Sequence, residues 1–124
     1  PPLSRAQLVK DCPLRWGIYT ITLLDHREGE GLALCSGPEW EPVSVAPCPA
    51  GERLTLPGSS GSRTIKRLCL DRHIGLAQRD QLPAIYVQER LAAVWPLGVD
   101  QEFMQAGTAC RFIQIINETE EKKR

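Results

Sequence analysis

The side chains whose type and spacing could do chemistry are densest in RTIKRLCLDRH, residues 63 to 73. Arg63, Lys66, Arg67, Arg72 and His73 all fall in this stretch. Cations gathered in this way suit an acidic peptide or a phosphodiester chain, because each one that neutralises a phosphate releases condensed counterions. The preceding residues, LTLPGSSGS from Leu54, raise a second possibility, a loop that cradles phosphate. Such a loop needs glycines after a strand, a helix behind them, and usually a Lys and a hydroxyl on metal. GSSGSR lacks the GK[ST] ending, and RTIKRLCL reads as a returning strand, so a phosphate loop is not expected.

Nucleophilic catalysis requires a nucleophile within hydrogen-bond reach of a base. There are two histidines, His26 and His73, and no GxSxG elbow. On a strand Cys69 and His73 would share a face but stand roughly 13 Å apart, at about 3.3 Å rise per residue. His26 lies in the polar turn LLDHREG and reads as solvated. HREGE, residues 26 to 30, has neither the ligand spacing nor the central Gly of a calcium loop. No catalytic residue, metal or cofactor is therefore expected. Trp40, between Glu39 and Glu41 in SGPEWEP, is a turn tryptophan that can anchor a partner or fold back over the core edge.

If the cations lie on a regular strand, Lys66 and Arg72 face one way, and Arg63, Arg67 and His73 the other. They then form the ends of a hairpin rather than one stripe. No aromatic lies between residues 41 and 85 to stack on bases, as a single-strand groove would want.

The elements that must position these groups follow from pattern and punctuation. Ser4 and Gln7 have capping-box spacing and Leu3 with Leu8 could form a hydrophobic staple, which predicts a short helix over 5 to 12, stopped by Pro13. WGIYTITLLDH, 16 to 26, is a strand apolar on both faces and so central. REGEG turns it into GLALCSG, the second half of a hairpin. VSVA, 43 to 46, is a short strand. Residues 54 to 73 read as a hairpin with a long GSSGS loop, 58 to 62, after Pro57 ends the outgoing strand. Residues 80 to 95 carry two periods: Val87, Leu91, Val94 and Trp95 make a helical stripe, while Ile85, Val87, Leu91, Ala93 and Trp95 alternate as a strand would, with Glu89 the exception. Gln88, Glu89, Arg90, Ala92 and Ala93 are weak strand formers, which favours helix. CRFIQII, 110 to 116, is a buried strand, and Trp16 and Trp95 are core residues.

Composition sets the outer bounds. The chain has 124 residues, 42% hydrophobic and 24% charged, enough for one domain with a single apolar core. Fifteen Lys and Arg balance fifteen Asp and Glu, so no global field draws in nucleic acid or an anionic membrane. No apolar run approaches the roughly 18 residues of a membrane helix. Five cysteines without a CxxC pair, each beside apolar residues, read as buried reduced thiols; a secreted domain with two bridges and a glycosylated Asn117 is the competing reading.

Together these features predict a mainly β domain, a barrel or sandwich of five to seven strands with one or two short helices, over 1 to 117, and a charged tail over 118 to 124. The expected function is a non-enzymatic interaction or adaptor module, in a signalling or scaffold role, inside a larger intracellular protein of the cytoplasm or nucleus. Its partner would be a protein or peptide, including an acidic one, met by Trp40, Arg63, Lys66, Arg67, Arg72 and His73. The alternative is a small β-barrel that binds single-stranded nucleic acid through the same cations.

Overall fold

The structure is a computed structural model that describes residues 3–36, 41–105 and 109–119. Eleven strands and two short helices are found among them: β1 Ala6–Leu8, β2 Leu14–Trp16, β3 Tyr19–Leu24, β4 Gly31–Ser36, β5 Val43–Pro47, β6 Arg53–Leu54, β7 Arg63–Thr64, α1 Ile65–Asp71, α2 Leu76–Arg79, β8 Pro83–Val87, β9 Arg90–Val94, β10 Gly98–Val99 and β11 Ala109–Asn117. The mainly β class with short helices is as expected. Six of the strands have five residues or more, and the others are pairs and triplets that the sequence pattern does not resolve.

Two antiparallel sheets face each other. One has the order β1-β5-β8-β9-β10, the other β2-β3-β11-β4. Leu8, Val43, Val45, Ile85 and Val87 from the first meet Trp16, Ile21, Leu23, Leu34, Ile113 and Ile115 from the second in one buried cluster. The architecture is a sandwich, with side chains of alternate residues interdigitating between the layers. β3 is interior, as its two apolar faces imply, but β4 is not its hairpin partner. β11 inserts between them, pairing Ile115 with Ile21 on one side and Ile113 with Leu32 on the other. Gly31 opens β4 because a Cβ there would lie 2.0 Å from the Ile113 carbonyl oxygen.

Three local expectations fail for identifiable reasons. Residues 6 to 8 are strand β1, not helix, pairing with β5 through Ala6↔Val45. Ser4 serves through its carbonyl oxygen, which accepts from Trp16 Nε1 at 2.8 Å, and not as a helix cap. Residues 83 to 94 are the hairpin β8–β9, turning at Gln88 with φ 57°. A register shift between Ile85 and Tyr86 adds one residue to β9, so Ala92 and Ala93 both join the inner core. That extra residue breaks the alternation and imitates a helical period. Residues 65 to 71 are helix α1 where a returning strand was expected.

α1 lies over the outer face of the five-stranded sheet. A second buried cluster forms there from Ala46, Ala84, Tyr86 and Val94 of the sheet, with Leu54, Ile65, Cys69, Leu82 and Leu97. β8 is buried along its whole length for this reason, serving one core with Ile85 and Val87 and the other with Ala84 and Tyr86.

The cysteines divide. Cys35 and Cys110, opposite each other on β4 and β11, form a disulfide, which corrects the expectation of reduced thiols throughout. Cys12 is exposed, Cys48 half-buried and Cys69 buried, all three free. Glu118, expected to begin a solvated tail, is tied back to β3: its backbone N–H donates to the Ile18 carbonyl and its carboxylate accepts from Thr20 Oγ1.

Candidate functional site

The expected hairpin over 54 to 73 exists only at its base, where Arg53 pairs with Thr64 and Leu54 with Arg63. Leu54 is buried, while Arg53 and Arg63 are exposed to solvent. The chain then turns directly into α1. Thr64 is the N-cap, its Oγ1 accepting from the Arg67 N–H at 3.1 Å. Ile65 and Cys69, four apart, bury the inner face of the helix. The cations of the opposite face are thereby held outward.

A helix does follow the Gly/Ser stretch, contrary to the sequence reading, but it offers no phosphate cradle. Its first backbone N–H groups are already used: Ile65 donates to the Glu52 carbonyl at 2.8 Å, Lys66 to Ala50 at 3.2 Å and Arg67 to the Thr64 hydroxyl. The charged surface around it is a better-formed feature. An open hollow of about 530 Å³ is lined by Arg53, Ser62, Arg63, Thr64, Arg67 and Asp71. Three guanidiniums face one carboxylate there. Arg53 is fixed by two bonds to Ser62, from Nε to Oγ at 2.8 Å and from the terminal nitrogen to the carbonyl at 3.0 Å. Arg67 meets Asp71 at 3.2 Å across one helical turn, an exposed pair that costs little to exchange for another anion.

The structure therefore brings Arg63 and Arg67 together and adds Arg53, which the sequence reading missed. The signal was available: once the GSSGS loop is closed, strand pairing sets Arg53 beside the residues that start α1. Lys66 is exposed on α1 but does not line the hollow. Arg72 closes the helix and donates to the Pro96 and Leu97 carbonyls at 3.3 and 3.2 Å. His73 is exposed, in the left-handed conformation at φ 59°. With α1 a helix, the strand faces predicted for these five residues do not apply. Trp40 lies outside the described residues.

Arg79, on α2, was also missed. Its Nε is buried without a hydrogen-bond partner among the described residues. Its charge lies close to two thiols that burial makes hard to ionise, with Cys48 pushed up to about 12 and Cys69 also raised. Neither is a thiolate nucleophile at neutral pH. His26 bonds to Asp25 at 3.1 Å and Glu28 at 3.0 Å in an exposed turn, and no group of metal-binding side chains is found among the described residues.

The whole is an antiparallel sandwich with a helix and a cationic hollow on one outer face. Residues 43–115 match the family described as the TilS substrate C-terminal domain. The match exceeds half of the chain and covers β5 to most of β11, including β6, β7 and α1. The chain belongs to this family. A solved structure, "Crystal structure of TILS C-terminal domain", superposes with a TM-score of 0.65 over 90% of this chain and 90% of that one, at 22% identity, which establishes the common fold. No curated protein matches the chain. Family membership overturns the expectation of a non-enzymatic adaptor with a signalling or scaffold role, because a domain defined by a substrate belongs to an enzyme. No helix among the described residues is long and apolar enough to cross a membrane.

Proposed function

We propose that this chain is the substrate-binding domain of a tRNA-modifying enzyme of the TilS kind, and that it holds the RNA by its phosphates. The observation that carries the reading is the hollow of Arg53, Arg63 and Arg67, which lies within the family-matched segment. The chain as a whole is neutral, so this local asymmetry is what gives a polyanion a preferred face. Lys66 and Arg72, exposed on or just beyond α1, extend the positive surface, and His73 follows them as an exposed polar group. Two bonds to Ser62 fix Arg53 at the hollow and the exposed Arg67–Asp71 pair is exchangeable, so both guanidiniums can serve phosphate oxygens, the usual first contact of a protein with a nucleic acid backbone.

The bond-making step belongs elsewhere in such an enzyme; this domain supplies affinity and orientation. Residues 1 to 117 act as one unit in this reading. The partner is RNA rather than a protein or acidic peptide, and the location that goes with it is the cytoplasm rather than a nucleus.

A salt titration of binding to a tRNA transcript tests this. The logarithm of the affinity is expected to fall linearly with the logarithm of salt, by roughly 0.7–0.9 per phosphate neutralised. The double variant Arg63→Ala/Arg67→Ala is expected to flatten that slope by roughly 1.5 while the melting temperature stays unchanged. Failure to bind the transcript at low salt, or a slope indifferent to the variant, rejects the proposal.

A further inference from the structure

A second cavity, of about 210 Å³, opens where β3 and β11 meet α2 and the turn after β9. Tyr19, Leu82, Trp95 and Ile115 supply apolar and aromatic wall, and Glu30, Gln78 and Asn117 supply polar groups. The elements that build it come from both sheets. Tyr19 is on β3 and Ile115 and Asn117 are on β11, in register with each other through Asn117↔Tyr19. Trp95 and Pro96 follow β9 and Gln78 comes from α2. Asn117 is oriented by its own chain: its Oδ1 accepts from the Thr119 N–H at 3.0 Å and from Thr119 Oγ1, which leaves the amino group as donor.

We propose that this pocket seats one unpaired nucleobase carrying an exocyclic amino group; the inference rests on the RNA-binding reading above. The size admits a single base and no base pair. The half-buried indole of Trp95 in the wall is a surface on which an unstacked base gains stacking energy, and RNA is read in sequence mostly through such splayed-out bases. The rim matches the edge of adenine or cytosine better than that of uracil. The Glu30 carboxylate accepts from an exocyclic NH₂, and the amides of Asn117 and Gln78 serve a neighbouring ring nitrogen or carbonyl.

The approach is charged in the right sense. Arg72 donates to the carbonyl of Pro96, a residue of the pocket wall, which ties this cation to the same turn. Arg67 and Asp71 line the other hollow from the same helix. α1 spans seven residues, roughly 10 Å at 1.5 Å rise, from the hollow at its start to Arg72 at its C-cap, which bonds to the pocket-wall residue Pro96. The acidic Glu30 would repel a phosphate placed deep in the pocket, which favours the base inward and the backbone outward toward Arg72.

The test uses the 124-residue chain and three RNAs: a blunt hairpin, and the same hairpin with a 3′ overhang of four adenosines or of four uridines. The adenosine overhang is expected to bind about tenfold tighter than the blunt hairpin, with the uridine overhang gaining distinctly less. Asn117→Ala with Gln78→Ala should abolish the overhang advantage and leave blunt binding intact. Glu30→Gln should erase the preference for adenosine over uridine. Trp95→Phe, which keeps a ring in the wall, should retain part of the advantage, and thermal melts establish that each variant is folded. Equal affinity for all three RNAs, or an overhang advantage that survives the Asn117/Gln78 change, overturns the pocket while leaving the phosphate-binding reading in place. Equal gain from uridine overturns the amino-group assignment. Absence of binding to any of the three removes both readings together.

Discussion

The two buried clusters of this domain are built from different materials. The inner one, between the sheets, draws on strands from Ala6 to Asn117 and is closed by long antiparallel pairings on both sides. The outer one is capped by two-residue strands and a seven-residue helix, and that cap carries Arg53, Arg63 and Arg67. Extended pairing gives the first cluster its rigidity. The second depends on a few anchors, Leu54, Ile65 and Cys69, pressed into the back of the same sheet. The contrast teaches that the cationic hollow is placed by the less extensively paired of two cores, so its geometry and the stability of the fold can be separated by mutation.

The sharpest way to break that contrast is to excavate each core in turn. Ile85→Ala removes a fully buried side chain between the sheets and should destabilise the domain by about 2–5 kcal/mol, seen as a lower urea midpoint, with RNA affinity of the folded fraction preserved. Ile65→Ala removes an equally buried side chain beneath α1. It should cost less, about 2 kcal/mol, because the short helix can settle into the space, yet it should weaken RNA binding as Arg63 and Arg67 lose their placement. If Ile85→Ala impairs RNA binding and Ile65→Ala does not, the division of labour drawn here is wrong.

The smallest expected effect comes from a region that belongs to neither core. His26 is held protonated above its ordinary range by its hydrogen bonds to Asp25 and then Glu28. A folded-state value above the unfolded one stabilises the protein below the ordinary imidazole value and ceases to do so as pH climbs through the raised value. His26→Ala should therefore lower the melting temperature slightly near about pH 5, and the loss should shrink as pH rises through the raised imidazole value. A larger loss at the higher pH would contradict the sign.

Much of the inner core was legible in the sequence. β3 and β11 announce themselves through β-branched runs that are apolar on both faces, and such runs have few alternatives. The outer cap was not, although one clue was present: Ile65 and Cys69 are four apart behind a threonine cap, which is helical spacing, but the alternation of Leu68 and Leu70 concealed it. The β8–β9 hairpin was hidden by its extra residue, which set Ala92 and Ala93 on one side. Of the candidate site, Arg63 and Arg67 could be picked out by charge alone. Arg53 needed the strand pairing, and the pocket at Trp95 and Asn117 needed the packing of two sheets, a relation between residues far apart in the chain that no local pattern encodes.

β11 is an interior member of its four-stranded sheet and is also the last strand among the described residues. During synthesis β3 and β4 therefore wait, each with a bare hydrogen-bonding edge, until residues 109 to 117 emerge and slot between them. Exposed edges of that sort invite pairing with other nascent chains. Translation that stalls just short of this segment would leave a sticky half-sheet until β11 emerges to close it.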